Sequence, residues 1–183
     1  TAADFFEAFR LARDCGFQNI NCDLIAGLPE ESCADFIKTL DGVAALKPEN
    51  ITVHTLCVKK ASNIRKSAET FECESKEIAG MVEYSQKALD KCGYLPYYLY
   101  RQKNMLGNFE NVGFTKENKA CLYNIYSMGE LQSIISVGAG AVSKHVDREN
   151  DVIKRIYNPK YPYEYIDRFE NILEEKTKLL HMM

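Results

Sequence analysis

Apolar and polar residues alternate along this chain with two periods, and the switches between them outline its elements. Phe5, Ala8, Phe9 and Ala12 recur at helical spacing, and Gly16 stands where a positive φ would end that helix. Residues 17–25, FQNINCDLI, read as a strand. A second helix is predicted from near Ser32, where Asp35 three residues on approximates a capping box and Glu30 and Glu31 suit the positive end of the dipole. Phe36, Leu40, Val43 and Ala44 line its face, and Pro48 lies just beyond its end. Residues 49–58, ENITVHTLCV, are rich in β-branched side chains and predict another strand. The polar stretch 59–74 shows little periodicity, as a long loop would. Over 75–92, Ile78, Met81, Val82, Ser85, Leu89 and Cys92 form one helical stripe, which marks Met81 as core.

Two segments, RDCGFQNINCDLI and DKCGYLPYYLYRQ, repeat one order: helix end, Cys-Gly-aromatic, strand. With 49–58 as a strand between them, helices alternate with strands, and the fold class is α/β with a mainly parallel sheet. Beyond Leu99 the pattern loosens. A turn is expected at Gly107-Asn108, a short strand ending near Phe114, a helix at CLYNIYSM and a strand at LQSIISV. GAGAVSK reads as a backbone-exposing turn, and two helices are expected in the tail, near 149–157 and 162–180.

Composition narrows the class. The 183 residues suffice for one domain with a substantial core, and 46% apolar residues exclude disorder. A net charge of −3 with both signs interspersed argues against nucleic acid or an anionic membrane as partner. No apolar run approaches the roughly 18 residues of a membrane span. The seven cysteines, at 15, 22, 33, 57, 73, 92 and 121, show no CxxC or zinc-ligand spacing, so reduced thiols and a cytoplasmic location are expected. The chain starts in what reads as a helix already under way, as a piece of a longer protein would.

Chemistry centres on Asp23, an acid inside a strand-like run shortly before the proposed turn glycine, Gly27. Ligands of parallel βα units meet the carboxyl ends of strands, where a carboxylate can accept hydrogen bonds from the vicinal hydroxyls of a ribose. A buried acid paired with a lysine, or one bonding backbone amides, fits the residues equally well. Alternation puts Asp23 and Ile25 on one face and Leu24 on the other. Near the C-terminal end of the sequence, ISVGAGAVSKHV offers a Gly138-x-Gly140 turn whose N–H groups, with the Ser143 hydroxyl, could meet an anion. A plain tight turn explains it as well. His54, in a strand, is a structural or pocket residue. Tyr97, Tyr98, Tyr100 and Arg101 could line a planar ligand, with Arg101 and Lys103 pairing with carboxylates, or pack as an ordinary strand.

Taken in order, GFQNINCDLIAGLP (16–29), ITVHTLCVKKAS (51–62), LYRQKNMLGNFENVGF (99–114) and SIISVGAGAVSK (133–144) resemble the oxygen-independent coproporphyrinogen III oxidase-like proteins of the radical S-adenosylmethionine superfamily. The likeness covers about residues 8–165. It implies the C-terminal part of a partial (β/α)6 barrel plus a C-terminal α+β extension, with residues 1–95 as the last βα units and 96–183 as the extension packed on them. It implies that Asp23 contacts the S-adenosylmethionine ribose, that Ile25 lies against the adenine, and that Cys57 stands where the family places a small residue near it. Gly138, Gly140 and Ser143 match a turn of the C-terminal region and are ligand-adjacent candidates.

The inherited chemistry is oxidative decarboxylation of a coproporphyrinogen III propionate to a vinyl group, within porphyrin and haem biosynthesis. It uses S-adenosylmethionine and a [4Fe–4S] cluster held by CxxxCxxC, and the substrate is a tetrapyrrole. This sequence lacks CxxxCxxC, so the isolated piece is expected to be inactive, to bind neither cofactor tightly and to self-associate through an exposed sheet edge. The alternative the family offers is a haem-binding, chaperone-like relative without decarboxylase activity.

Overall fold

A computed structural model describes residues 1–57, 75–101 and 109–181. Two compact units emerge, residues 1–121 and 122–183. The strand that begins at Leu95 and the one after it pair into the sheet of the first unit.

The first unit contains helices α1 (Ala2–Asp14), α2 (Cys33–Ala45) and α3 (Ser75–Lys91), and strands β1 (Asn21–Ala26), β2 (Asn50–Thr55), β3 (Leu95–Tyr100) and β4 (Asn111–Thr115). The capping box at α2 is present in full: Asp35 N–H donates to the Ser32 hydroxyl, and the Asp35 carboxylate accepts from Ser32 N–H at 3.2 Å. This satisfies two backbone donors that an open helix end leaves unpaired.

The sheet runs β1-β2-β4-β3. β1 and β2 pair in parallel, with Asp23 opposite Thr52 and Ile25 opposite His54. β4 pairs antiparallel with both β2 and β3. The expectation of a mainly parallel sheet is therefore corrected. β1, β2 and β3 point the same way, but β4 returns between β2 and β3, so among the described strands β1/β2 is the one parallel ladder. The fold is mixed α/β, and its four described strands do not close into a barrel. The turn expected at 107–108 and the loop 59–74 lie outside the described residues.

One sheet face is apolar and covered by helices. Cys22, Leu24 and Ala26 of β1 meet Ile51, Val53 and Phe114, with Phe36, Leu40 and Val43 from α2 and Met81 and Leu89 from α3. Strict alternation in β1 produces this sidedness: its residues are exposed and buried by turns. Burial pushes the Cys22 thiol up to about 11, with the Asp23 charge adding to the effect, so this cysteine behaves as a small core hydrophobe. The α3 stripe is buried at Ile78, Met81, Ser85 and Leu89, but Cys92, expected on it, is exposed at the helix end. α1 buries none of its residues; of its stripe Phe9 packs against the core, while Phe5 is exposed.

At the opposite ends of the strands, Arg13 Nη2 holds Glu49 through both carboxylate oxygens at 2.9 and 2.8 Å, and Ile20 N–H donates to the same carboxylate at 3.0 Å. This pair ties the end of α1 to the start of β2. Tyr94 is buried beneath it and donates its hydroxyl to the Pro48 carbonyl at 2.6 Å.

The second unit has α4 (Leu122–Met128), the antiparallel hairpin β5 (Val142–Asp147) and β6 (Val152–Tyr157), α5 (Pro162–Asp167) and α6 (Phe169–Leu180). Two expectations are overturned here. Residues 149–157 form the hairpin turn and β6 rather than a helix; the run V-I-K-R-I-Y pairs residue by residue with β5. LQSIISV is not a strand beyond one bridge, Ile134 to Lys144. VSK, expected in a turn, opens β5. The helix expected over 162–180 is present, broken at Arg168 between α5 and α6.

Candidate functional site

The other sheet face of the first unit is polar, and register assembles it. Asp23, Thr52, Gly113 and Tyr98 are partners across all four strands, one row deep in the sheet. In the next row, toward the carboxyl ends of β1 and β2, Ile25 is opposite His54, and Tyr100 is opposite Asn111. A cavity of about 420 Å³ opens here, lined by Asp23, Ile25, His54, Cys57, Tyr100 and Asn111, together with Thr55 and Leu56. The three residues singled out for a nucleoside, Asp23, Ile25 and Cys57, are thus brought together on one wall.

Asp23 is not turned into the core, and among the described residues no lysine pairs with it. Its side chain is 61% exposed. Oδ1 accepts from Asn21 Nδ2 at 2.7 Å and lies 3.6 Å from His54 Nε2. The imidazole, ahead of the opposing effect of partial burial and the help of Asn21, holds the Asp23 carboxyl below its ordinary range. It is a carboxylate at neutral pH, presented to the cavity. Ile25 is 42% exposed beside it, an apolar surface next to an anion.

Tyr98 and Gly113 shape the floor. A Cβ on Gly113 would stand 1.9 Å from Tyr98 Cε1, so the absence of a side chain is what lets the phenol ring lie flat across β4. The ring carries its hydroxyl to 3.3 Å from Thr52 Oγ1, and Thr52 also donates to Asn21 Oδ1 at 3.1 Å. Tyr98 stacks with Tyr100, the planes 8° apart and the centroids separated by 6.3 Å. Tyr100 in turn reaches His54: its hydroxyl lies 3.4 Å from Nδ1. Thr55, buried in the same wall, carries a hydroxyl without a partner among the described residues, while its backbone N–H donates to Asn111 Oδ1 at 2.9 Å. That hydroxyl is sealed from solvent, and strand parity puts it on the core face with Val53 and Ala26 rather than on the face of His54.

Sequence reasoning passed over Thr55 and Asn111. It took His54 as a structural or pocket residue, without a partner. Parity along β2 puts His54 on the face of Thr52, but its meeting with Asp23 depends on strand register. Arg101 pairs with Glu110 at 3.0 Å instead of facing the cavity, and Lys103 lies outside the described residues.

The Gly138–Ser143 turn belongs to the second unit. Gly138 and Gly140 both take positive φ. Their N–H groups are already used, Gly138 donating to the Tyr165 hydroxyl at 3.2 Å and Gly140 to the Pro159 carbonyl at 2.7 Å. Ser143 is fully buried and accepts from Lys176 Nζ at 2.6 Å. Each of these groups serves the packing of its own unit.

A parallel strand pair with an exposed acid near its carboxyl ends, inside a mixed α/β unit, is the arrangement of a small-molecule site in an α/β protein. No protein-family model matches the chain. It is 42% identical over 184 residues to the oxygen-independent coproporphyrinogen-III oxidase-like protein HemZ of Bacillus subtilis, covering 100% of this chain and 37% of that relative. A HemW-like protein of Buchnera aphidicola, whose name provisionally assigns it haem chaperoning, is 28% identical over 142 residues, 78% of this chain and 34% of its own length. In fold, the chain is similar to coproporphyrinogen III oxidase (HemN) from Escherichia coli, described as a radical SAM enzyme, with a TM-score of 0.60 at 16% identity over 91% of this chain and 37% of that one. The chain belongs to the HemZ- and HemN-like oxygen-independent coproporphyrinogen III oxidase family, as a partial match. It spans about a third of the length of these relatives.

Among the described residues no group of three or more His, Cys, Asp or Glu is placed to hold a metal, and no described helix is long and apolar enough to cross a membrane.

Proposed function

We propose that this chain forms the nucleoside-gripping wall of a radical S-adenosylmethionine protein acting on a tetrapyrrole, an oxygen-independent coproporphyrinogen III oxidase in its complete form. In this reading residues 1–95 are the last βα units of a partial barrel and 96–183 are its extension. The observation that carries it is the exposed Asp23 carboxylate beside the exposed Ile25, both lining the cavity that Cys57 closes.

The residues present fit the adenosine part of S-adenosylmethionine. Asp23 can accept from the ribose hydroxyls, and Ile25 offers an apolar surface to a base. Bound there and cleaved by one electron from a donor that the described residues do not supply, S-adenosylmethionine would furnish the hydrogen-abstracting radical for decarboxylation of a propionate. The described residues do not fit an iron–sulfur cluster, and no step through one is drawn from them.

The test is adenosine titration of the chain followed by amide NMR, with 2′-deoxyadenosine as comparison. Asp23→Asn should weaken adenosine binding by about 1–3 kcal/mol, the scale of a lost charged hydrogen bond, and abolish the preference over the deoxy form. Equal affinities of wild type and variant would refute the ribose role. The likeness to a HemW-like protein supports a second reading, haem carriage without decarboxylation. Tight haem binding by the full-length protein with no loss of CO₂ from coproporphyrinogen III would favour it.

A further inference from the structure

Asp23 is held from the side by an imidazole that is itself held from behind. His54 Nε2 faces Asp23 Oδ1 at 3.6 Å, and His54 Nδ1 faces the Tyr100 hydroxyl at 3.4 Å. The order of donors follows from chemistry. A carboxylate can only accept, so the ring nitrogen turned to Asp23 carries the hydrogen. In a neutral imidazole the other nitrogen is then an acceptor, and Tyr100 must donate to it. The phenol is pinned in turn by its stack on Tyr98, which lies flat because residue 113 is glycine. The chain of influence therefore runs from the floor of the sheet to the exposed acid: Gly113, Tyr98, Tyr100, His54, Asp23.

We infer that His54 is the positioning residue of this site: spanning Tyr100 and Asp23, it fixes the direction in which the carboxylate meets the vicinal hydroxyls of a ribonucleoside. This rests on the nucleoside reading above. Without the imidazole, Asp23 keeps Asn21 on Oδ1 and the smaller influence of the Thr52 hydroxyl, and the exposed carboxylate can turn between rotamers. A ligand must then restrict that freedom on binding, which lowers affinity. Both spacings are long for hydrogen bonds, as is common before a ligand seats, and they should tighten when one does.

The experiment has two arms on the 183-residue chain. In the first, ¹⁵N NMR of the ligand-free protein reads the His54 ring: hydrogen on Nε2 and a hydrogen-bonded Nδ1 whose shift changes in Tyr100→Phe. In the second, adenosine is titrated into wild type, His54→Phe, His54→Gln and Tyr100→Phe. His54→Phe should weaken binding about 3–10-fold, the loss of a fixed orientation. His54→Gln, whose amide can still donate toward Asp23, should stay within about twofold of wild type. Tyr100→Phe should fall between. Adenosine binding that is unchanged in His54→Phe, or a ring carrying its hydrogen on Nδ1, overturns the positioning role and leaves the nucleoside reading standing. Failure of the wild type to bind adenosine removes the nucleoside reading and this inference with it.

Discussion

Gly113→Ala should disturb the site without touching any of its polar groups. The new methyl carbon would stand 1.9 Å from Tyr98 Cε1, 2.5 Å from Cδ1 and 2.6 Å from Cζ. No small adjustment relieves three contacts with one rigid ring, so the phenol must swing off β4. It then gives up its contact with Thr52 and its stack on Tyr100. Overpacking of this kind costs about 1–3 kcal/mol. Replacing a strand glycine returns about 0.5–1 kcal/mol through chain entropy, leaving a net loss of up to about 2.5 kcal/mol. In a Tyr98→Ala background the ring is absent, and the same Gly113→Ala change should be neutral or stabilising by about 0.5 kcal/mol. The assay is a double-mutant cycle by urea unfolding, followed through amide signals of β2 and β4 so that the second unit does not contribute. If Gly113→Ala costs the same with and without the Tyr98 ring, the close approach is not the reason for the glycine, and the account of the cavity floor is wrong.

Two further outcomes concern stability. Glu49→Gln keeps the shape of the side chain but removes the charge that Arg13 grips through both oxygens, and should cost about 1–3 kcal/mol in urea unfolding of the first unit. Burial alone would raise the Glu49 pKa, but the bonds from Ile20 N–H and Arg13 outweigh it and hold the carboxyl below its ordinary 4.5. Its contribution is therefore complete above that value and lost as pH falls through the lower folded pKa; the acid dependence should flatten in the variant. Lys176 is buried on α6, donating to the Ser136 carbonyl and the Ser143 hydroxyl, both at 2.6 Å, and burial lowers its pKa below the ordinary 10.5. For a lysine the sign is reversed: the unfolded chain binds the proton more strongly, so stability of the second unit should rise with pH from the depressed pKa up to 10.5. Lys176→Met should cost less than about 2 kcal/mol at pH 7 and remove that rise, as read by urea midpoints at a series of pH values.

Local chemistry made much of the first unit legible. The capping box at Ser32 and Asp35, the stripe of Phe36, Leu40 and Val43, and the alternation through Cys22, Asp23 and Leu24 are each set within a few residues, so the residues alone point to them. The second unit was read less well for the same reason. V-I-K-R-I-Y has no local preference strong enough to choose helix over strand; the choice was made by pairing with β5. β4 likewise carries no mark of its position, and only the assembled sheet inserts it antiparallel between β2 and β3.

The site divides along the same line. The chain by itself determined that an acid and an isoleucine share one face of a strand, because side chains alternate with a period of two wherever a strand forms. Whether that face was buried or open, and what stood across from it, was decided by the fold. Register placed His54 beside Asp23, the bulged pairing of β3 with β4 set Tyr98 over Gly113, and Tyr100 followed behind His54. Residues 23, 54 and 100 are far apart in sequence, and no local propensity connects them. Their meeting is a consequence of backbone hydrogen bonding between strands, which the tertiary structure alone specifies.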